Sequence, residues 1–215
     1  GVSRHIDGML DGLQGNKRQR PRLVHRLDRD TSGVIVVART LPAAAALSEA
    51  LRRRDAQKIY WALTKGVPKP HRGVIKLALS KQGEEGRHER MRPAEEGDES
   101  AKSATTYYTV MGSVAYQFAW VALKPVTGRT HQLRAHLAHI GTPIVGDIKY
   151  GGLPAKGMGE LEDRLHLHAR TIDIAHPEGG RLHAVATLPP HMTHAWELFG
   201  FDPDDSSDPF AELRR

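Results

Sequence analysis

The sequence of 215 residues contains no cysteine. This absence excludes disulfides, iron–sulfur clusters, thiolate zinc sites and a cysteine nucleophile. Long apolar runs are also missing: the longest, Val34-Ile35-Val36-Val37-Ala38, is far shorter than the ~20 residues that a membrane helix needs. Residues 1–14 lack the apolar segment of a signal peptide, which favours the cytoplasm. The remaining composition, 39% apolar and 26% charged, is typical of one globular domain.

Charge is distributed unevenly along the chain. The formal net charge is +6, and residues 1–58 alone hold twelve Lys or Arg against six Asp or Glu. Six basic residues follow one another closely: Lys17, Arg18, Arg20, Arg22, Arg26 and Arg29. Such a basic stretch is either a polyanion-binding surface or an ordinary solvated face. The other end, 202–215, is acidic and contains proline and serine, and we interpret it as a frayed tail.

The hydrophobic pattern predicts many short strands and few helices, typical of an α+β domain with a largely antiparallel sheet. Residues 80–103 carry charges and glycines without apolar periodicity, which predicts a long loop or hairpin. Thr40 is a candidate N-cap for one helix, and Thr130–Ile140 has the apolar stripe of another. The predicted strands are Gly33–Arg39, Lys58–Leu63, Val74–Leu79, Thr105–Val110, Tyr116–Leu123, Leu165–Ile174 and Arg181–Leu188.

The first segment with chemical potential is the loop ahead of the Gly33 strand. Asp28 lies between Arg26 and Arg29, and a neighbouring cation favours the ionised form of a carboxylate. An aspartate at such a strand end is a nucleophile, a base or one half of a salt bridge. The residues alone favour the salt bridge.

The second segment, Thr127–Arg134, combines a glycine turn with the start of an amphipathic helix. Arg134 lies about 100° round the helix from the apolar Leu133, so its side chain borders the core. A guanidinium in that position needs a carboxylate partner. Asp28 is the candidate partner.

Together, these two segments resemble the RluA-type RNA pseudouridine synthases. His25-Arg26-Leu27-Asp28 with Thr31-Ser32-Gly33 is similar to the family's aspartate motif, and Gly128–Arg134 is similar to its arginine motif. Further similar segments are Lys58–Ala62, Pro143–Asp147 with Tyr150-Gly151, and Leu165–Ala169. The resemblance covers about Pro21 to Phe201. It departs from the family in lacking the usual first strand with its Lys-Pro-x-Gly motif, and the N-terminal S4-type RNA-binding domain that many members carry.

The resemblance implies the pseudouridine synthase fold, with a mixed and largely antiparallel sheet, and isomerisation of uridine to pseudouridine in RNA. Asp28 would be the nucleophile, and Tyr60 would stack on the base and handle a proton at its C5. Arg134 would pair with Asp28 and hold it ionised. The implied substrate-binding residues are Arg26, which fills the gap left by the flipped uridine, Leu167, which lines the apolar side of the base, and Arg129.

The resemblance further implies an RNA partner, with ribosomal RNA of the large subunit first and transfer RNA second. It implies no cofactor, no metal and a monomer. The thirteen histidines do not change this expectation, because no His-Glu-x-x-His motif occurs. We divide the chain into a polar segment (1–20), a catalytic domain (21–201) and an acidic tail (202–215). The rival hypothesis is a non-catalytic basic RNA-binding domain in which Asp28 and Arg134 form a structural salt bridge.

Overall fold

The computed structural model describes residues 6–16, 18–53, 55–82, 90–152, 156 and 159–214. The strands are β1 (Arg22–Leu23), β2 (Ser32–Gly33), β3 (Val37–Ala38), β4 (Gln57–Lys65), β5 (Arg72–Lys76), β6 (Leu79–Gln82), β7 (Arg90–Pro93), β8 (Thr105–Val114), β9 (Phe118–Pro125), β10 (Leu167–Ala175) and β11 (Arg181–Val185). The helices are α1 (Ile6–Met9), α2 (Leu41–Ala50), α3 (Gln132–His139), α4 (Ile148–Gly151) and α5 (Pro190–Phe199). Short 3₁₀ turns cover Leu10–Leu13 and Ala211–Arg214.

One central sheet organises the chain. Its strand order is β11-β10-β4-β9-β8-β5, with antiparallel neighbours throughout, and the short β2 joins the edge of β10 in parallel. The predicted α+β class with a mixed, largely antiparallel sheet is therefore confirmed. Within the described ranges, none of the helices has the length and apolar content that a bilayer crossing requires.

Strand β4 separates two hydrophobic cores because alternate side chains of a strand point to opposite faces of the sheet. On one face, Ile59, Trp61 and Leu63 pack with the aromatic side of α5, where Trp61 and Trp196 stack at 6.2 Å between ring centroids. The other face carries Tyr60 and Ala62 and is covered by the apolar side of α3. The sheet thus presents Tyr60 beneath α3.

The two longer predicted helices are present. The Thr40 hydroxyl accepts a hydrogen bond from the Ala43 N–H at 3.3 Å and caps α2, as predicted. In α3, Leu133 and Leu137 are buried against the sheet. The helix ends ahead of Gly141, whose φ of +77° is the left-handed conformation that glycine adopts most easily.

The predicted strand Gly33–Arg39 is wrong as a continuous element. Gly33 pairs with β10, whereas Val37 and Ala38 pair with β1 in a separate two-stranded ribbon. Between them, the Val36 N–H donates to the His25 ring at 2.8 Å instead of to a neighbouring strand. The β-branched residues fit a strand, but the segment crosses from one sheet to another.

Residues 80–103 contain the hairpin β6–β7, which realises one of the two predicted alternatives; the segment 83–89 lies outside the described residues. The interpretation of the C-terminal segment as frayed is wrong. Phe210 is 3% exposed and belongs to the core beside α5. Glu212 accepts a hydrogen bond from Arg72 at 2.9 Å, which attaches the segment to the sheet edge at β5.

Gly33 generates a stability prediction because its φ is +120° and an added Cβ would lie 2.3 Å from the Ala169 carbonyl oxygen. We expect Gly33→Ala to lower the free energy of unfolding by about 2 kcal/mol or more, since it combines backbone strain with a backbone clash. Gly12→Ala is the control, because a Cβ at Gly12 meets nothing within 4 Å. Denaturant unfolding measures both variants, and equal midpoints would contradict the prediction.

Candidate active site

A cavity of about 280 Å³ opens between the aspartate loop, β4, the start of β10 and the loop before α3. Five of the six predicted site residues line it: Arg26, Asp28, Tyr60, Arg129 and Leu167. They come from four separate parts of the sequence, so the fold brings together what only the resemblance had connected. The sixth residue, Arg134, lies beside the cavity and outside its lining.

Asp28 is held by a loop whose two ends are fixed. The ribbon of β1 and β3 closes the loop, and the Thr31 N–H donates to the Asp28 carbonyl at 3.0 Å in a turn. The Asp28 side chain is half-buried and has no hydrogen bond or ion pair among the described residues. Its negative charge nevertheless acts on Tyr60 and Arg134, so the carboxylate lies in the neighbourhood of both residues.

Tyr60 lies at the centre of the sheet, paired with Leu123 on β9 and Ala169 on β10. Burial raises the pKa of its phenol to about 12, and the charge of Asp28 acts in the same direction. The hydroxyl therefore keeps its proton at neutral pH. Tyr60 offers the cavity both an aromatic face and a hydrogen-bond donor.

Arg134 does not form the predicted ion pair with Asp28. Its Nε and one terminal nitrogen each donate to an oxygen of Asp147, both at 2.8 Å, in a bidentate pair. Burial lowers the pKa of Arg134, but the hydrogen bonds and charge of Asp147 outweigh it and the pKa is raised. The prediction that the Arg134 guanidinium needs a carboxylate partner is confirmed, but Asp28 is wrong as that partner. The Asp147 carboxylate is held beside Arg134 because it also caps α4, where it accepts a hydrogen bond from the Tyr150 N–H at 3.2 Å.

Tyr150 contacts the site residue Arg134, although no motif in the sequence indicated a role for it. Its ring lies 5.1 Å from the guanidinium carbon of Arg134, in a cation–π arrangement. Its hydroxyl accepts from the Met91 N–H at 2.9 Å and lies 2.8 Å from Nδ1 of His131. His131 has a left-handed φ of 49°, which is uncommon outside glycine. The similarity of the segment around Tyr150 to the family was the signal in the sequence that this region matters. No pattern indicated the contacts of Tyr150 themselves.

The loop that carries Arg129 is folded around the buried side chain of Gln132. The Gln132 carbonyl oxygen accepts from the Thr127 hydroxyl at 2.7 Å and from the Arg129 N–H at 3.0 Å. Its amide nitrogen donates to the Thr105 carbonyl and the Thr106 hydroxyl, both at 3.0 Å. Gln132 thereby fixes the loop to the sheet, and the Arg129 side chain is held by a bond from Nε to the Ser103 carbonyl at 3.1 Å.

The two remaining predicted residues differ in the exposure of their side chains. Leu167 is 2% exposed and forms part of the apolar wall. Arg26 is exposed at the cavity mouth. Within the basic stretch, Arg20 is already paired with Asp7 and Asp11, and Lys17 lies outside the described residues. Of the described members of the stretch, Arg26 is the one that lines this cavity.

Comparisons with known proteins identify relatives of this chain. A family model described as RNA pseudouridylate synthase matches residues 3–139. The dual-specificity RNA pseudouridine synthase RluA of Escherichia coli is 39% identical over 180 residues, which are 83% of this chain and 78% of that protein. An uncharacterized RNA pseudouridine synthase of Zymomonas mobilis is 36% identical over 189 residues, 87% of this chain and 82% of that protein.

Longer relatives and a solved structure extend the likeness. The mitochondrial RNA pseudouridine synthase 4 of Arabidopsis thaliana is 35% identical over 219 residues, but the chain spans only 46% of its length. The structure of human RNA pseudouridylate synthase domain containing 4 superposes with a TM-score of 0.74 at 31% identity and covers 91% of this chain and 82% of that one. The chain belongs to the RNA pseudouridylate synthase family.

Proposed function

We propose that this chain isomerises uridine to pseudouridine in RNA, with Asp28 as the nucleophile. The observation that carries the proposal is the half-buried Asp28 carboxylate, which has no partner among the described residues and shares one cavity with Tyr60. A structural carboxylate would be expected to have an ion pair. A reactive one needs an open path to its substrate and a fixed position, and the loop around Asp28 supplies both.

The reaction rearranges bonds within one nucleotide. The C1′–N1 bond breaks, the uracil ring turns, C5 bonds to C1′, and the proton on C5 is released while N1 gains one. Asp28 can attack C1′, add to C6 of the ring, or assist the departure of uracil. Product and substrate have the same atoms, so the balance requires no oxidant, reductant or group donor.

The cavity suits a base that must detach without escaping. Tyr60 supplies an aromatic platform and Leu167 an apolar wall. A uridine inside a helix must first be flipped out, at a cost of a few kcal/mol. Arg26 at the cavity mouth would occupy the vacated position, and contacts of basic residues with phosphates would offset part of the cost.

The preferred RNA is that of the large ribosomal subunit, and transfer RNA is second. The Escherichia coli relative is named as a dual-specificity enzyme, and we propose both classes of RNA as substrates of this chain. We further propose a monomer. We also propose a cytoplasmic location, although three of the relatives are named as mitochondrial.

The rival, a non-catalytic RNA-binding domain, is less well supported. It assigns Asp28 to a structural salt bridge with Arg134, but Arg134 is bound to Asp147. Asp28 would then be an unpaired negative charge on an RNA-binding surface, where it would weaken the binding of phosphates.

The first test is Asp28→Asn, which keeps the shape of the side chain and removes its nucleophilic charge. We expect tritium release from RNA labelled at C5 of uridine to fall by a factor of about 10³ or more. Transcripts of large-subunit ribosomal RNA and of transfer RNA serve as substrates. Asp30→Asn, an exposed carboxylate of the same loop, is the control and should retain activity. Equal release by wild type and Asp28→Asn would refute the role of Asp28, and RNA binding without release by the wild type would favour the rival.

Tyr60→Phe separates the aromatic platform from the hydroxyl. Because the hydroxyl is protonated at neutral pH, its removal deletes a donor while the stacking surface stays. We expect a decrease in kcat of about 10- to 100-fold with RNA affinity unchanged, whereas Tyr60→Leu should weaken both. An unaltered kcat in Tyr60→Phe would exclude the hydroxyl from the reaction.

Asp147→Asn tests the buried ion pair. The substitution leaves the Arg134 guanidinium buried without its counter-charge, so we expect a loss of about 3–5 kcal/mol in the free energy of unfolding. Asp55→Asn is the control, because Asp55 forms only exposed ion pairs with Arg53 and Arg181. Its unfolding midpoint should stay close to that of the wild type. Identical midpoints for the two variants would show that the Arg134–Asp147 pair contributes no more than a surface pair.

A further inference from the structure

Lys58 is a half-buried lysine that the proposed reaction leaves unused. It lines the same cavity as Asp28 and Tyr60. Its one hydrogen bond among the described residues is a long one, 3.4 Å from Nζ to the Leu51 carbonyl. An ammonium group has three donors, so the capacity of Lys58 is largely unfilled. Burial also lowers its pKa.

The position of Lys58 relative to Tyr60 follows from the strand that carries both. They are two residues apart on β4, so their side chains share one face of the sheet at a spacing of about 6.5 Å along the strand. That spacing is close to the width of a pyrimidine ring. A base placed on Tyr60 is therefore within reach of the long, flexible Lys58 side chain.

Neighbouring groups do not supply an equivalent cation. Burial, together with the charge of Lys58, lowers the pKa of His25 to about 4, so His25 is neutral at pH 7. Arg129 is held by the Ser103 carbonyl, and Arg26 is exposed at the mouth. Lys58 is thus the cation of the inner wall among the described lining residues.

The chemistry needs a cation at this point. When Asp28 attacks C1′ or assists the departure of uracil, the C1′–N1 bond breaks with its electron pair on the ring, and the negative charge spreads over N1, O2 and O4. A donor fixed beside the place where charge develops stabilises the transition state more than the ground state.

Building on the proposed isomerisation, we propose that Lys58 is a further catalytic residue, which donates hydrogen bonds to the uracil ring and stabilises its anion while it is detached. Lys58 keeps its proton throughout. In the route through C1′, the bond from C1′ to Asp28 breaks when C5 bonds to C1′, so the negative charge returns to the Asp28 carboxylate. The C5 proton then leaves while N1 gains one. The competing explanation is structural: Lys58 merely ties the end of α2 to the sheet through the Leu51 carbonyl.

A binding experiment separates these explanations without requiring turnover. Barbiturate has the shape of uracil and is anionic at neutral pH, so ligand-observed NMR titration compares barbiturate with neutral uracil. We expect Lys58→Met to weaken barbiturate binding about tenfold or more and uracil binding less than about threefold. Lys76→Met, on the exposed side of β5, is the matched control and should change neither. Equal barbiturate affinity in wild type and Lys58→Met overturns the proposal.

Turnover supplies the second readout. We expect Lys58→Met to lower kcat for tritium release about 100-fold with little change in KM, and Lys58→Arg to retain more activity than Lys58→Met. In Lys58→Ala, added ethylammonium should restore part of the loss, whereas sodium chloride at equal ionic strength should not. A kcat for Lys58→Met within about twofold of the wild type contradicts the proposal. A wild type that binds barbiturate through Lys58 but releases no tritium would instead refute the isomerase function and leave the anion site standing.

Discussion

The buried pair of Arg134 and Asp147 is the interaction on which the site depends. It connects α3 to the beginning of α4 through two parallel hydrogen bonds, and the side chains are 8% and 0% exposed. Such a pair is favourable only when geometry and additional hydrogen bonds offset the loss of hydration. The contact of Tyr150 with the guanidinium and the bond from its N–H to Asp147 provide that support.

This arrangement divides two roles between two carboxylates, because one carboxylate could not both neutralise the Arg134 guanidinium and keep its oxygens available. Asp147 neutralises the arginine and anchors the helix, and Asp28 is left half-buried without a bonding partner in the part of the chain that the structure describes. The negative charge of Asp28 in turn acts on Arg134. The protein thus holds a carboxylate near a cation without binding it so tightly that its oxygens are occupied, which is the condition that a nucleophile needs.

Local signals in the sequence predicted much of the fold, and the resemblance named residues that the fold brings together. The caps and apolar stripes located α2 and α3, and five of the six residues transferred from the resemblance line one cavity. What could not be predicted was contact between distant residues. Asp147 follows Arg134 by 13 positions, and nothing in that spacing indicates a bidentate pair. Phe210 gave no periodic signal in an acidic segment, and the run from Val34 to Ala38 matches a strand by composition while its backbone crosses between two sheets.

The close approach of Gly33 to Ala169 bears on whether the protein or the RNA changes its conformation when the two bind. The end of the aspartate loop is paired in register with β10, and the backbones approach so closely at Gly33 that no side chain fits between them. A carboxylate mounted in this way is preorganised, so in the proposed reaction its reorganisation would contribute little to the barrier. The conformational change is then made mainly by the RNA. Sites whose bases are already unstacked, in hairpin loops or bulges, would reach Asp28 with the smallest distortion, and the secondary structure of the RNA would select the target as much as its sequence.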